Sequence, residues 1–309
     1  MALQFTFVYK RWSELARTRL RRRRVRAASD CNALRRSSMN QIDRYIRSGH
    51  KQVHGWLEPF SARYIGELGR LQRESGISGA SIEIGIHHGR LFILLHLAGS
   101  RQKDLAIDVF DDQHLNTDRS GYGDRKRFIA NVIRWGGSPV AIDILQKSSL
   151  DVSPEEILER VGQSALFSVD GGHTEECAFH DLKLADAVLH PQGVVILDDF
   201  FNESWPEVCL GATKYFADPN SRLRPFALTA GKMYLCTGEN NAFYRNRMRV
   251  RFNRREFDKE VKMFGSPVQL MGMAEQQMSN SRKVRRFLRE SPIGPTLMKV
   301  KRRLRKRDV

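Results

Sequence analysis

Three aspartates and a histidine occur where they could form one reactive site. Asp170 and His173 lie in the stretch FSVDGGHT, and Asp198 and Asp199 lie in VVILDDF. Both stretches begin with apolar runs typical of buried strands, so these side chains are expected at the carboxyl ends of neighbouring strands, where open α/β sheets bind ligands. Carboxylates this close repel one another, and a hard divalent cation relieves that repulsion. The sequence therefore predicts a metal site at Asp170, Asp198 and Asp199, with Mg²⁺ as the ion.

A second candidate site is the loop in SIEIGIHHGR. A dinucleotide-binding loop has glycine at three places in the pattern G-x-G-x-x-G, but His87 and Arg90 occupy the second and third of them here. Gly89 follows Gly85 at the fourth position instead, and Glu83 precedes the turn. A carboxylate beside the loop disfavours a pyrophosphate and favours a cationic group. The loop is therefore expected to bind a positively charged ligand without phosphate.

This set of residues resembles the class I methyltransferases, which use S-adenosylmethionine (SAM), a ligand with an ammonium and a sulfonium group. The resemblance covers roughly residues 55–237 and includes the loop, an aspartate after strand two, acidic residues after strands four and five, and a closing hairpin. In that family, the acidic residue after strand two holds the ribose hydroxyls. The positions implied to contact SAM are Glu83, Gly85, Gly89, Asp108, Ser148 and Ser149, although a capping or turn role fits the two serines equally well.

The aspartates after strands four and five resemble the macrocin and sugar O-methyltransferase branch, to which cephalosporin hydroxylase-like sequences are related. Members of that branch bind Mg²⁺ through these aspartates and often read Asp-Gly-Asp-His after strand four, with the second aspartate as general base. Here that position is Gly172, which cannot accept a proton, so His173 becomes the candidate base beside Asp170. The alternative is that His173 caps the following helix or belongs to the surroundings of the metal.

The elements that must position these residues alternate between strand and helix, which is typical of a parallel sheet covered on both faces. Strands are expected near residues 81–86, 105–110, 140–144, 165–170 and 193–198. Helix starts are marked by Ser153-Pro154 and Ser204-Trp205-Pro206. The stretch RPFALTAGKMYLCT then predicts an antiparallel hairpin. The expected fold is α/β, a Rossmann-like doubly wound sheet of five parallel strands plus a C-terminal antiparallel hairpin, seven strands in all.

The loop DDQHLNTDRSGYG after strand two is long, polar and rich in turn residues. It follows Asp108, so it is expected beside the cofactor ribose, where it could cover the acceptor. Candidate acceptor contacts are Asp112, Gln113, His114 and Asn116, but a surface loop satisfied by its own turns fits the same pattern equally well.

The net charge of +17 is concentrated at the two ends of the chain. Residues 1–50 contain 13 Lys and Arg against 3 Asp and Glu, and residues 241–309 contain 20 against 6, whereas residues 51–240 have 19 against 26. A phosphate backbone is bound mainly by Lys and Arg, so the mildly acidic body disfavours a nucleic-acid substrate. Three regions are expected: a basic N-terminal arm or helix (1–54), a methyltransferase domain (55–240) and a basic C-terminal extension (241–309).

The predicted function is SAM-dependent, Mg²⁺-dependent O-methylation of a sugar, a glycan or another small hydroxylated acceptor. Two alternatives remain open, namely methylation of RNA or another nucleic acid, and a non-catalytic SAM-binding or scaffold protein. The cysteines have no metal-ligand or CxxC spacing, and the chain has no secretory signal and no apolar run of membrane-spanning length. A cytoplasmic protein is therefore expected, with its basic ends attracted to an anionic membrane. The sequence leaves the oligomeric state open, a homo-oligomer included.

Overall fold

A computed structural model of the protein describes residues 41–100 and 103–273. The basic run at 17–26 and the basic residues after 273 lie outside the described residues, and so do the expectations of membrane association that depend on them. No helix within the described residues combines the length and the apolar character needed to cross a bilayer.

A nine-stranded mixed sheet forms the centre of the described chain. Its strands are β1 (Ala80–Ile84), β2 (Asp104–Ile107), β3 (Ile142–Leu145), β4 (Ser164–Val169), β5 (Leu189–Asp198), β6 (Leu223–Thr229), β7 (Lys232–Thr237), β8 (Phe257–Met263) and β9 (Ser266–Met271). They lie in the order β3-β2-β1-β4-β5-β7-β6-β9-β8. Strands β1 to β5 are parallel, and β7 is antiparallel to both β5 and β6. The predicted α/β fold with five parallel strands and a closing hairpin is confirmed.

The predicted number of seven strands is wrong, because β8 and β9 extend the sheet beyond the hairpin. Strand β9 pairs parallel to β6, and β8 pairs antiparallel to β9 through a turn at Phe264 and Gly265, both with positive φ. Four of the seven residues of β8 are charged, as suits an edge strand that must not pair with other chains. The sheet thus continues past the domain boundary expected at residue 240.

Residues 41–44 are helical, and seven α-helices with both ends among the described residues cover the sheet. They are α1 (Pro59–Glu74), α2 (Phe92–Ala98), α3 (Arg125–Arg134), α4 (Pro154–Val161), α5 (Glu175–Val188), α6 (Pro206–Ala217) and α7 (Asn241–Arg249). Helix α4 starts as predicted, because the side chain of Ser153 accepts a hydrogen bond from the N–H of Glu156. Helix α6 does not start at Ser204. Trp205 precedes its first residue, Pro206, and no side chain caps it.

The helices bury apolar side chains on both faces of the sheet. One layer contains Tyr64, Phe92 and Phe128, and the other contains Leu182 and Tyr215, all fully buried. The first layer also includes Ile42, Tyr45 and Val53 from the segment before α1. The packed body therefore begins before the boundary expected at residue 54. The cysteines at 177, 209 and 236 are free thiols.

Candidate active site

The turn after β1 requires glycine at its first position. Gly85 has φ +86°, and a Cβ atom there would lie 1.7 Å from the carbonyl oxygen of Asp170. The chain passes this close because Asp170 N donates to the carbonyl of Ile84 (3.0 Å), and Gly85 N donates to that of Ile107 (2.9 Å). These contacts bring the ends of β1, β2 and β4 together at the point where the strand order reverses, which is where doubly wound sheets bind ligands.

His87 adopts a backbone conformation that usually favours glycine. Its φ is +53°, in the left-handed region that few non-glycine residues adopt. The carboxylate of Asp108 stabilises the turn by accepting hydrogen bonds from His87 N (2.7 Å) and Phe110 N (2.5 Å). Each carboxylate oxygen can accept a second hydrogen bond, so Asp108 can hold the loop and still bind two hydroxyl groups.

A cavity of about 650 Å³ opens over these strand ends, within the range of small-molecule sites. Of the residues expected to contact SAM, Gly85, Asp108, Ser148 and Ser149 line it. Gly89 faces α3 instead, since a Cβ atom there would lie 2.5 Å from the ring of Phe128. The cavity wall also includes Asp170, His173, Asp198, Asp199 and Lys232.

Glu83 lies behind the loop and is not part of the cavity wall. It is 2% exposed, and its Oε2 atom has no hydrogen-bond partner among residues 41–100 and 103–273. Burial raises the pKa of Glu83 well above its usual value, and Asp170 raises it further, whereas Lys232 lowers it. Glu83 therefore cannot contact a ligand in the cavity directly and influences the site only through neighbours such as Asp170.

Asp170, His173 and Asp199 form the cluster in which a cation could bind. One ligand atom from each residue lies within 4.8 Å of the others. Two hydrogen bonds hold Asp199 in place. Its backbone N–H donates to the carbonyl of Gly231 (2.9 Å), and the side-chain amide of Asn202 donates to its Oδ1 (2.8 Å). Asp198, expected as the third metal ligand, pairs instead with Lys232.

Lys232 is a functional candidate that the sequence reasoning missed. Its side chain is only 3% exposed, and its ammonium forms an ion pair with Asp198, which lies opposite it on β5. Burial alone would lower the pKa of Lys232, but Asp198 and Asp170 outweigh burial and raise it. The site thus contains a permanent internal cation.

One buried lysine does not neutralise this site. Burial raises the pKa of Asp170 well above its usual value, and Asp198 raises it further despite the opposing charge of Lys232. Two carboxylates, Glu83 and Asp170, are therefore held in a region with an excess of negative charge. A divalent cation would remove that excess, and carboxylate oxygens are the donors that Mg²⁺ prefers. The residues present fit such an ion at Asp170 and Asp199.

His173 bridges two carboxylates. Its Nδ1 lies 2.5 Å from Oδ2 of Asp118, and its Nε2 lies 3.3 Å from Oδ2 of Asp199. Burial lowers the pKa of His173, but the hydrogen bonds to Asp118 and Asp199 outweigh it and raise the pKa to about 10. Trp205 stacks on the imidazole, with ring centroids 4.3 Å apart. His173 does not cap helix α5, since Thr174 holds that position.

The long loop after β2 lies over the cavity and supplies Asp118, a residue the sequence reasoning also missed. Asp118 accepts hydrogen bonds from the backbone N–H groups of Ser120 (2.7 Å) and His173 (2.8 Å). Of the four polar residues expected to contact the acceptor, Gln113 and Asn116 line the cavity, whereas Asp112 and His114 do not. No periodic pattern in the sequence points to Asp118, because its role depends on the path of an irregular loop.

Comparisons with known proteins found one matching family model and several similar solved structures. Residues 82–200 match the model of a family described as a methyltransferase domain, and no curated protein matches the chain at a significant level. Solved structures similar to the chain include the O-methyltransferase NovP (14% identity, 57% of this chain, 78% of that chain, TM-score 0.46). Another is CalS11, a TDP-rhamnose 3'-O-methyltransferase (15% identity, 65% of this chain, 94% of that chain, TM-score 0.42). A third is an O-methyltransferase from Bacillus cereus in complex with SAH (14% identity, 64% of this chain, 88% of that chain, TM-score 0.42). The family match, together with the strand order and the loop after β1, identifies residues 82–200 as a methyltransferase domain of the class I fold.

Proposed function

We propose that this protein transfers the methyl group of SAM to a hydroxyl group of a sugar or another small hydroxylated acceptor, with Mg²⁺ at the acidic cluster. The observation that carries the proposal is that a single cavity joins the Gly85 loop and Asp108 to Asp170, His173 and Asp199. A cofactor held at the first group of residues and an acceptor held at the second would meet without leaving the cavity.

The cofactor side of the cavity is formed by the loop after β1 and by the strand ends beside it. When bound, SAM supplies an activated methyl group. Asp108 retains lone pairs for the ribose hydroxyls, and Ser148 and Ser149 lie on the cavity wall after β3. The acidic residues around the cavity favour a ligand with ammonium and sulfonium charges over a pyrophosphate.

The acceptor side is formed by Asp199, Asn202, Trp205 and the loop that carries Asp118. When bound at Asp170 and Asp199, Mg²⁺ supplies positive charge that lowers the pKa of an acceptor hydroxyl. Positive charge at these carboxylates also offsets two of the groups that keep His173 protonated. His173, oriented by Asp118, can then accept the hydroxyl proton at Nε2.

Lys232 and Asp198 have a supporting role in this arrangement. Their ion pair keeps a cation beside Asp170 without using the lone pairs of Asp199. The mixed amide, hydroxyl and aromatic wall suits a small polyhydroxylated acceptor, and its acidic character disfavours a nucleic acid.

A transfer assay with methyl-labelled SAM tests the proposal. The protein is incubated with separated small-molecule, glycan and RNA fractions from cells that produce it, with Mg²⁺ or with a chelator. We expect label in the small-molecule or glycan fraction, loss of label with chelator, and loss of label in His173→Gln.

The other outcomes of the assay contradict the proposal in distinct ways. Label in RNA alone supports nucleic-acid methylation. Calorimetric binding of SAM without transfer to any fraction supports a non-catalytic SAM-binding protein. Transfer that persists unchanged with chelator contradicts the proposed role of Mg²⁺ but still supports the proposed methyl transfer.

A further inference from the structure

Three histidines form a second cluster beside the cofactor loop. His54 precedes helix α1, and His87 and His88 follow Gly85. The ring centroids of His54 lie 4.9 Å from His87 and 5.2 Å from His88, and His87 stacks on His88 at 4.1 Å. One nitrogen from each imidazole lies within 4.8 Å of the other two. The cluster therefore gathers three nitrogen ligands from two separate segments.

One nitrogen of this cluster lacks a hydrogen bond to the described residues. Nδ1 of His87 is buried and has no hydrogen-bond partner in the part of the chain that the structure describes, an arrangement that costs free energy unless a ligand satisfies it. Burial lowers the pKa of His87 to about 4, the neighbouring His88 and His54 lower it further, and a hydrogen bond to the backbone of His54 opposes them. Burial also lowers the pKa of His88, helped by His54 and Arg127. A lowered pKa favours the neutral imidazole, which is the form that binds metals.

We propose that His54, His87 and His88 bind a transition-metal ion, with Zn²⁺ as the best match. Imidazole is a preferred ligand of zinc, copper and nickel but not of Mg²⁺, and three protein ligands leave a fourth position open for water or an anion. The site shares no residue with the acidic cluster around Asp170 and does not depend on the proposed methyl transfer.

Metal binding here would fasten the segment before α1 to the cofactor loop. Gly55, Trp56 and Leu57 line the cavity, and Trp56 is 72% exposed at its rim. Arg90 already holds this segment, because its guanidinium donates to the carbonyls of Gly55 and Leu57. An ion bound by His54 and His87 adds a second fastening on the same segment and fixes the rim next to Trp56.

Titration of the full-length protein with Zn²⁺ and with Co²⁺ tests the site directly. We expect saturable Zn²⁺ binding. With Co²⁺, we expect the absorption spectrum of an ion with nitrogen ligands and a low coordination number. His54→Gln removes one ligand from an exposed position and should leave the fold intact. It should weaken Zn²⁺ binding at this site at least about 100-fold, since even outer-shell partners of a metal contribute roughly 10–100-fold.

Two further variants assign the binding to this cluster. His190→Gln removes a histidine at the start of β5, away from the cluster, and should bind Zn²⁺ like the wild type. Asp199→Asn should keep the spectrum of the three-histidine site, because that residue belongs to the other cluster. The proposal is overturned if the wild type shows no saturable binding, if His54→Gln binds as the wild type does, or if Asp199→Asn abolishes the signal while His54→Gln retains it.

Discussion

The ion pair between Lys232 and Asp198 provides a quantitative test of the site's electrostatics. Both side chains are largely excluded from water, with 3% and 12% exposed. Lys232→Met keeps most of the volume and removes the charge, which leaves Asp198 and its neighbour Asp170 without their buried counterion. Breaking a buried pair from one side typically costs about 3–5 kcal/mol. For a body of this size, that loss corresponds to a fall in Tm of about 6–20 °C.

The carboxylates make this loss depend on pH. Without the lysine, the pKa of Asp170 rises further, and protonation at low pH removes the uncompensated negative charge. The penalty of Lys232→Met should therefore be largest near pH 8 and shrink towards pH 5. The double variant Asp198→Asn/Lys232→Met removes both charges, so most of the stability should return.

Urea unfolding followed by circular dichroism at pH 8 and pH 5, with chelator present, measures these free energies. Lys259→Met, at an exposed position of β8, is the matched control and should change the free energy of unfolding by less than about 0.5 kcal/mol. A loss of unfolding free energy in Lys232→Met no larger than that of this control at pH 8 would contradict the role of the ion pair. Losses from Asp198→Asn and Lys232→Met that simply add in the double variant would contradict it as well.

Three further results are expected. Gly85→Ala forces a Cβ atom against the carbonyl of Asp170, whereas the Cβ atom of Gly162→Ala, at a similar φ of +71°, meets none of the described residues within 4 Å. Calorimetry should therefore show a much larger fall in Tm for Gly85→Ala than for Gly162→Ala. Equal falls would contradict the packing argument. His173→Gln should reduce methyl transfer by about 10²–10⁴-fold with SAH binding unchanged, and full activity would remove His173 from the reaction. The pKa of His173 is raised to about 10, so its ion pair with Asp118 stabilises the fold fully below the pKa that His173 has in the unfolded chain, and this stabilisation is lost as the pH rises towards 10. The free energy of unfolding lost in Asp118→Asn, measured with urea, should therefore shrink over that range. A loss that stays constant would argue against an imidazolium.

The strands and the first glycine of the loop could be predicted because local patterns encode them. Apolar runs ending in Asp170 and in Asp198-Asp199 mark strands with polar groups at their carboxyl ends, and the structure places them there. Gly85 follows such a run and carries the positive φ that the turn needs. Residues whose role follows from their own position in a strand were therefore accessible to sequence reasoning.

The pairing of residues within the site depends on which strands and loops meet, and the sequence alone does not predict this. Lys232 begins a short apolar strand, and only the antiparallel register of β7 against β5 places it opposite Asp198. Asp118 lies in an irregular loop without periodicity. Strand β8 was missed because its charged residues mask the apolar positions Val261 and Met263, which pack against the core.

Glu83 and Gly89 illustrate a different limit of sequence reasoning. Both were expected to contact the cofactor, but neither lines the cavity. Gly89 is required by the ring of Phe128, and Glu83 is buried behind the loop. The residue types of a binding loop thus indicate its shape more reliably than they indicate which side chains touch the ligand.

Calorimetric titration of the purified protein with S-adenosylhomocysteine and, separately, with NAD⁺ is the most direct test of the central claim that the cavity after β1 is built for SAM. We expect S-adenosylhomocysteine to bind with one-to-one stoichiometry, Asp108→Ala to weaken this binding, and NAD⁺ to give no heat of binding. Saturable binding of NAD⁺, or no binding of S-adenosylhomocysteine to the folded protein, would contradict that claim.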